Sequence, residues 1–175
     1  MHLELVDPTE EYEAEYDAMI AEILADGNTC GYSGYMLHDR GDSNFAQYVG
    51  KLRDEAAGLN LPEGRIPQTT FWLLENGKRL AGEIRLRHTL TPSLLQRGGN
   101  IGYIVRPSFR NRGCATFMVQ QVLDRARKRG IDQVLITCDA ENAASISVIQ
   151  KCGGQLDEQK VTPDQDWLRF WIRLV

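Results

Sequence analysis

The sequence lacks any apolar run long enough to cross a membrane. A membrane-spanning helix needs about 20 consecutive apolar residues, and charged residues, which make up 25% of this chain, interrupt every apolar stretch far sooner. Residues 1–7 also lack the basic and apolar segments of a secretory signal peptide. We therefore expect a cytoplasmic protein that neither spans nor binds a membrane.

Paired cysteines are also missing. The four cysteines lie far apart, at positions 30, 114, 138 and 152, and none belongs to a Cys-x-x-Cys pair. This spacing argues against a zinc site and against a disulfide framework, so we expect no metal and reduced thiols in buried, structural positions. Cys114 differs from the others because it opens a predicted helix, where the helix dipole lowers the pKa of a thiol.

Charge is distributed unevenly along the chain. Residues 1–64 contain fourteen acidic and three basic residues, whereas residues 65–175 contain ten acidic and seventeen basic residues. The net charge of −4 disfavours a primary role in nucleic acid binding. Two interpretations of the asymmetry stay open. The acidic helices are simply solvated, or the N-terminal part attracts a cationic ligand while the C-terminal part holds an anionic one.

The N-terminal part has helical periodicity. After a weakly alternating strand at residues 3–6, Asp7, Pro8 and Glu10 form a helix start with a capping box, and apolar residues continue at helical spacing to Leu24. Residues 29–43 are rich in glycine, tyrosine and polar side chains, which predicts a long loop of the kind that is often functional. A second helix is predicted over residues 44–57, before a turn at 61–64.

The remainder has the pattern of a sheet with crossing helices. Asn76-Gly77 between β-prone runs at residues 69–74 and 80–88 predicts a hairpin. A strand at 100–106, a helix at 114–129 and a strand at 133–138 predict a β-α-β crossover with parallel strands. We expect one domain with an α+β fold, a three-layer α/β/α arrangement around a mixed, mostly antiparallel sheet. Further elements are a helical turn at 91–96, a helix at 142–152, strands at 155–161 and 167–174, and a turn at 163–164.

The strongest functional signal lies between the predicted crossover and the helix that follows it. The first strand leads into Arg110-x-x-Gly113-x-Ala115, which opens a helix, and the returning strand leads to Asn142-x-x-Ser145. A glycine-containing loop at a helix start presents backbone N–H groups at the positive end of the helix dipole, which suits a phosphate or pyrophosphate. In this order and spacing, the motifs resemble those of the GNAT superfamily of acyl-CoA-dependent N-acetyltransferases, especially bacterial members with an unassigned acceptor.

The resemblance implies acetyl-CoA as co-substrate, with residues 67–175 as the acetyl-CoA-binding core and residues 1–66 as a helical acceptor-side part. In the family, the strand before the loop pairs with the pantetheine arm, and the loop holds the pyrophosphate. Asn142 would bind the pantetheine arm, although it could instead serve only as a helix cap, and the loop arginines could simply be solvated. The residues expected to bind acetyl-CoA are Ile104, Val105, Arg106, Arg110, Asn111, Arg112, Gly113, Cys114, Ala115, Thr116, Asn142 and Ser145.

The same resemblance implies direct attack of an amine on the thioester, assisted by a base and an acid. The acid of the family is often a tyrosine four residues after the serine, where this chain has Ile149. Either another group such as Tyr103 serves as the acid, or water or the product ammonium does. Glu83 and His88 are candidate bases, but their odd separation points them to opposite faces of a strand, so one at most faces the cleft unless a bulge intervenes. A structural histidine is the alternative for His88, which titrates near neutral pH when unperturbed.

The expected acceptor is a primary amine of a small molecule or peptide, and the acidic N-terminal part favours a cationic one. A non-catalytic acyl-CoA-binding module stays open as an alternative because the usual tyrosine is missing. A mononucleotide-binding protein is a further alternative, but the chain lacks the Gly-Lys-[Ser/Thr] end of a P-loop. We expect a monomer or a homodimer, with residues 168–174 as a plausible pairing edge.

Overall fold

The chain forms a seven-stranded sheet with helices on both faces. This is seen in a computed structural model that describes residues 2–27, 31–41, 43–158 and 165–174. The strand order is β1-β2-β3-β4-β5-β7-β6. The strands are β1 (Leu3–Val6), β2 (Gln68–Glu75), β3 (Arg79–Arg87), β4 (Ile101–Val105), β5 (Gln133–Asp139), β6 (Gln155–Leu156) and β7 (Trp167–Arg173).

Neighbouring strands are antiparallel except for β4 and β5, which are parallel. The predicted mixed sheet with one parallel crossover is therefore confirmed. The predicted hairpin joins β2 to β3, and both Asn76 and Gly77 have the positive φ that such turns require. The helices are α1 (Glu13–Ala25), α2 (Gly31–Arg40), α3 (Phe45–Ala57), α4 (Pro92–Gln96), α5 (Cys114–Lys128) and α6 (Ala143–Lys151).

The sheet separates two apolar clusters, which confirms the three-layer arrangement. On one face, α5 and α6 pack against the sheet through a stripe from Met118 to Ala126 and through Ile149. On the other face, α1, α2 and α3 pack over Trp72 and Leu74 of β2. No helix among the residues that the structure describes is both long and apolar enough to span a membrane.

Two N-terminal predictions are wrong. Helix α1 begins at Glu13 rather than at Pro8, because residues 10–12 form a 3-10 turn whose N-cap, Thr9, makes no side-chain cap. The predicted loop at residues 29–43 contains α2, a helix with two glycines and low intrinsic propensity. Its formation depends on tertiary packing, since Met36 and Asp39 are both buried. Residues 28–30 and 42 lie outside the described part.

The strand predicted at residues 167–174 is confirmed as β7. It pairs with β5 along one side, and β6 covers Phe170 and Trp171 on the other side, so β7 is not an edge strand along its whole length as the sequence suggested. Strand β6 covers Gln155–Leu156, and the rest of the strand predicted to residue 161, together with the turn at 163–164, falls partly or wholly outside the described residues.

Ion pairs fasten the acidic N-terminal helices to the basic core. Arg106, at the end of β4, donates from Nη1 to Glu15 (3.0 Å) and from Nε to Glu22 (2.7 Å) of α1. Arg110 makes a bidentate pair with Asp26, at 3.0 and 2.8 Å. Three of the acidic residues thus serve helix docking, a role that neither interpretation of the charge asymmetry included. The acidic residues that are exposed, as the solvated interpretation expects, include Glu10, Glu11, Glu13 and Asp17.

We expect Glu22→Gln to lower the free energy of unfolding by about 1–2 kcal/mol at neutral pH. Partial burial opposes ionisation of Glu22, but hydrogen bonds from Ser108 and Arg106 outweigh it and lower the pKa of the carboxyl. A lowered pKa stabilises the fold above the unfolded-state value near 4.3, and this contribution disappears as pH falls through the folded-state pKa.

Urea unfolding at neutral pH and at about pH 2.5 measures this difference. Asp17→Asn is the matched control, since Asp17 is exposed on the same helix. A Glu22→Gln deficit that persists undiminished at the lower pH would contradict the explanation by the ion pair.

Candidate active site

A cleft of about 1170 Å³ lies where β4 and β5 diverge. The two strands share one residue pair, Ile101 with Ile136, and then separate. Residues 101–105 of β4 and 136–139 of β5 line the opening. Its walls include Tyr32 from the helical layer on one face of the sheet and Ser145 from α6 on the other, so the cleft can be reached from both faces.

The backbone of β4 offers hydrogen-bonding groups to this opening. Ile104 lies opposite Glu83 in β3, and the N–H of Arg106 donates to Ala81 O at 2.9 Å, so both residues are used within the sheet. Because N–H groups alternate in direction along a strand, those of Tyr103 and Val105 face the open side. The expectation for Val105 agrees with this geometry, whereas the backbone N–H groups of Ile104 and Arg106 point toward β3 rather than into the opening. Tyr103 lies two residues before Val105, so its backbone N–H points to the same side of β4. Sequence reasoning did not include this N–H among the expected binding groups.

The predicted loop reaches the cleft at the start of α5. Gly113 is the N-cap with φ of +79°, and an added Cβ would meet no atom within 4 Å, so backbone conformation rather than protein packing requires glycine. A glycine cap has no side chain to bind the first N–H groups of the helix. Those groups belong to Cys114, Ala115 and Thr116, which line the cleft with Asn111, and they form a suitable anion site.

The loop arginines are engaged elsewhere. The guanidinium of Arg110 is paired with Asp26, whose pKa is lowered by the hydrogen bonds from that arginine. Arg112 lies over the Phe109 ring, with Cζ 5.4 Å from the ring centroid, and does not line the cleft. In this conformation the loop therefore offers an anion its backbone N–H groups rather than the two charged side chains that the sequence suggested.

Asn142 and Ser145 meet Tyr103 at the other wall. Asn142 caps α6, since Oδ1 accepts the N–H of Ser145 at 3.0 Å, and the cap leaves its amide nitrogen available to the cleft. The Tyr103 hydroxyl lies 2.7 Å from Ser145 Oγ. Burial raises the pKa of Tyr103 to about 12, against an opposing effect of the Ser145 hydrogen bond. Ile149 is fully buried in the core, so Tyr103 supplies a hydroxyl that position 149 does not.

The cysteines contribute no low-pKa thiol in the part of the chain that is described. Burial raises the pKa of Cys114 despite its place at a helix start, so the expectation of a lowered value was wrong. Burial likewise raises the pKa of Cys138, to about 11. Across the described ranges, no group of three or more histidine, cysteine, aspartate or glutamate side chains is placed to bind a metal ion.

Glu83 is close to the cleft but separated from it by Tyr32. Its fully buried carboxylate accepts hydrogen bonds from the Tyr32 hydroxyl, Trp72 Nε1 and Arg85 Nε, each at 3.0 Å. Tyr32 itself lines the cleft and packs against Gly102, where an added Cβ would approach the ring to 2.3 Å. Glu83 therefore holds Tyr32 in place and does not touch the opening.

His88 is not brought to the cleft. It follows the end of β3, and its Nε2 lies 2.8 Å from Thr69 Oγ1. Burial, and to a lesser extent the charge of Arg129 near the end of α5, lowers the pKa of His88. His88 is absent from the lining of the cleft, which favours the structural interpretation over the role of base.

One end of the cleft, called the polar end below, contains residues that sequence reasoning missed. It lies between α3, the start of β2 and the end of β3, beside Tyr35 of α2. Glu55 could have been noticed, because it continues the apolar stripe of α3 three residues after Leu52. The residues missed there are Glu55, Arg65, Gln68 and Arg87.

Solved structures similar to this chain are acetyltransferases. An N-acetyltransferase from Staphylococcus aureus Mu50 is 16% identical, with 100% of each chain covered and a TM-score of 0.67. The putative acetyltransferase yncA from Salmonella typhimurium, solved with acetyl-CoA, is 13% identical, with 99% of this chain and 94% of that chain covered and a TM-score of 0.65. An acetyltransferase from Salmonella typhimurium that modifies the N-terminal serine of a 50S ribosomal subunit protein is 16% identical, with 98% and 94% covered and a TM-score of 0.63.

No curated protein matches the chain. A family model does match, and it is described as the acetyltransferase (GNAT) domain and spans residues 3–155. This match covers most of the chain and includes the glycine loop, the crossover and the Asn142 cap. The chain belongs to the GNAT family and is an acyl-CoA-dependent acetyltransferase.

Proposed function

We propose that the protein transfers the acetyl group of acetyl-CoA to a primary amine of a small molecule or peptide by direct attack. The observation that carries this proposal is the opening between β4 and β5, which has uncapped N–H groups of α5 at one end and a polar pocket at the other. A cleft of this shape lets two substrates enter separately and meet in the sheet, which aligns the amine with the thioester.

The co-substrate would bind in three segments. The N–H groups of residues 114–116 at the start of α5 would hold the pyrophosphate. The pantetheine arm would run along β4 as an added strand and pair with the N–H groups of Tyr103 and Val105. The amide nitrogen of Asn142 would donate to the same arm. The unpaired edge of β4 and the lining of the cleft support this placement.

The hydroxyl of Tyr103 would stabilise the departing thiolate. With a pKa of about 12 it stays protonated at neutral pH. Full proton transfer to a thiolate with an ordinary pKa near 8.5 is unfavourable, so the contribution is a hydrogen bond to the developing negative charge. Ser145, which lies 2.7 Å away, orients the hydroxyl.

The attacking ammonium would lose its proton to water in the open cleft, because neither Glu83 nor His88 lines the cleft. We assign Glu83 to positioning Tyr32, since its carboxylate is held by three donors.

We further propose that the protein acts in the bacterial cytoplasm as one domain, with residues 1–66 on the acceptor side and residues 67–175 forming the core. The widely spaced cysteines and the sequence resemblance support this.

We expect Gly113→Glu to weaken acetyl-CoA binding by about two orders of magnitude or more, because a carboxylate would replace the anion at the helix start. Calorimetric titration with acetyl-CoA measures the effect. Gly130→Glu is the matched control, since Gly130 has φ of +76°, equally open surroundings and a position beyond the other end of α5. Equal losses in both variants would refute the loop assignment.

We expect Tyr103→Phe to lower kcat by roughly 10- to 100-fold, the value of one hydrogen bond to a charged group. The KM for acetyl-CoA should change little, because the backbone N–H of Tyr103 remains. Thiol release assays over a panel of amines give both constants. An unchanged kcat would exclude Tyr103, and acetyl-CoA binding without turnover of any amine would identify a non-catalytic module.

We expect His88→Ala to leave kcat and its pH dependence unchanged. The lowered pKa of His88 keeps the imidazole neutral at pH 7, and the side chain lies outside the cleft. The pH–rate profiles of the two proteins, recorded from about pH 5.5 to 9 with one amine, provide the comparison. Loss of an inflection below neutral pH in the variant would restore His88 as the base.

A further inference from the structure

The polar end of the cleft, where the acceptor would enter, contains two arginines for which the described residues provide no carboxylate within 4 Å. These are Arg65 and Arg87, both of which line the cleft. The other arginines near the sheet centre are paired, Arg85 with Glu83 and Asp39, and Arg106 with Glu15 and Glu22. Arg97, at the rim, is paired with Asp139.

Arg87 is a buried cation without such a partner, with 9% of its surface exposed. Its Nη1 donates to the carbonyl oxygens of Gly98 and Gly99, at 3.2 and 3.0 Å. Removal from water, the largest effect on it, lowers the pKa of the guanidinium. A buried charge with neutral partners alone is costly, so an anion that entered the cleft here would be stabilised.

Arg65 faces the same place from the loop before β2. Its Nη1 donates to the Tyr35 hydroxyl at 3.0 Å. The Cζ atoms of Arg65 and Arg87 each lie 5.6 Å from the centroid of the Tyr35 ring. One aromatic ring thus orders two guanidinium groups, which reduces the entropy that either would lose on binding a ligand.

A buried carboxylate completes this end of the cleft. Glu55, 5% exposed, accepts a hydrogen bond from Gln68 Nε2 at 2.8 Å. The same nitrogen lies 2.9 Å from the Tyr35 hydroxyl, so Glu55, Gln68, Tyr35 and Arg65 form one connected chain. This part of the cleft therefore contains charges of both signs, with two arginines against one carboxylate and an excess of positive charge.

We propose that this end of the cleft selects a small amine that also carries a carboxylate, which Arg65 and Arg87 bind through charge-assisted hydrogen bonds. The carboxylate of Glu55 offsets the positive charge of the accompanying ammonium. The proposal rests on the acetyl transfer proposed above and narrows the cationic acceptor expected from the sequence to an amine that also carries a carboxylate. Polyamines would be disfavoured, because they bring positive charge to two guanidinium groups without supplying an anion.

The test compares matched pairs of amines. Each ω-amino acid from glycine to 6-aminohexanoate is paired with the n-alkylamine that replaces its carboxylate by a methyl group, with spermidine as the cationic reference. Calorimetry on protein saturated with CoA measures binding, and thiol release from acetyl-CoA measures turnover. We expect at least one amino acid to bind about tenfold or more tighter than its partner amine.

Arg65→Gln supplies the residue-level test, because Arg65 is exposed and the Tyr35 hydroxyl keeps its contact with Gln68. It should reduce kcat/KM for the preferred amino acid by about tenfold or more, leave the partner amine within twofold, and leave acetyl-CoA affinity unchanged. Arg65→Glu should shift the preference toward spermidine. Arg53→Gln, which removes an exposed charge from α3, is the matched control.

Amino acids that bind no tighter than their partner amines would overturn the proposal, as would equal effects of Arg65→Gln on both members of a pair. The calorimetric arm gives this answer even without turnover. Failure of the acetyl-transfer proposal would appear differently, as absent thiol release with every amine in the panel.

Discussion

The burial of Arg85 is the constraint on which the packing of α2 and α3 against the sheet depends. The side chain is fully enclosed, and a cation in that position costs several kcal/mol unless it is paired and hydrogen-bonded. Its partners come from three different elements. Glu83 of β3 lies 3.0 Å from Nε, Asp39 of α2 lies 2.6 Å from Nη1, and the Tyr48 hydroxyl of α3 lies 2.9 Å from Nη2.

This network explains how a poor helical sequence becomes a defined wall of the cleft. Helix α2 contains two glycines and has little intrinsic reason to form. It contributes Asp39 to the buried cation and Tyr32 to the buried anion, so the sheet needs it in place. The Tyr32 ring then lies against Gly102 of β4. The electrostatics of the sheet and the shape of the cleft are therefore consequences of one arrangement.

Sequence reasoning succeeded where the signal was local. The glycine loop, the Asn142 cap and the Asn76-Gly77 hairpin each lie within a few consecutive residues, and the crossover joins elements that follow one another in the chain; the structure contains all of them. The polar end of the cleft could not be predicted in this way. Its residues come from α2, α3, the loop before β2, β2 and β3, and they meet through tertiary packing alone.

Strand β3 shows how an alternating pattern can leave the environment of a strand undetermined. Glu83, Arg85 and Arg87 alternate with apolar residues, a pattern typical of a strand with one solvated face. The structure buries both faces, because three helices cover the charged one. The sequence shows which residues of β3 share a face of the sheet. It does not show that helices cover the charged face, because the docking of those helices depends on Arg106 and Arg85. The register of Tyr103 and Val105 likewise required knowledge of which neighbour β4 uses.

The single residue pair between β4 and β5 has a mechanical consequence. The sheet consists of two parts, β1 to β4 and β5 to β6. Their backbones meet where Gly99 and Ile101 lie beside Ile136 and where the Asn100 N–H donates to Leu135 O at 2.7 Å, and β4 and β5 separate beyond that point. A ligand arm that pairs with β4 would fill the gap between β4 and β5 with hydrogen bonds. Occupancy of the cleft and stiffness of the whole sheet would then rise together.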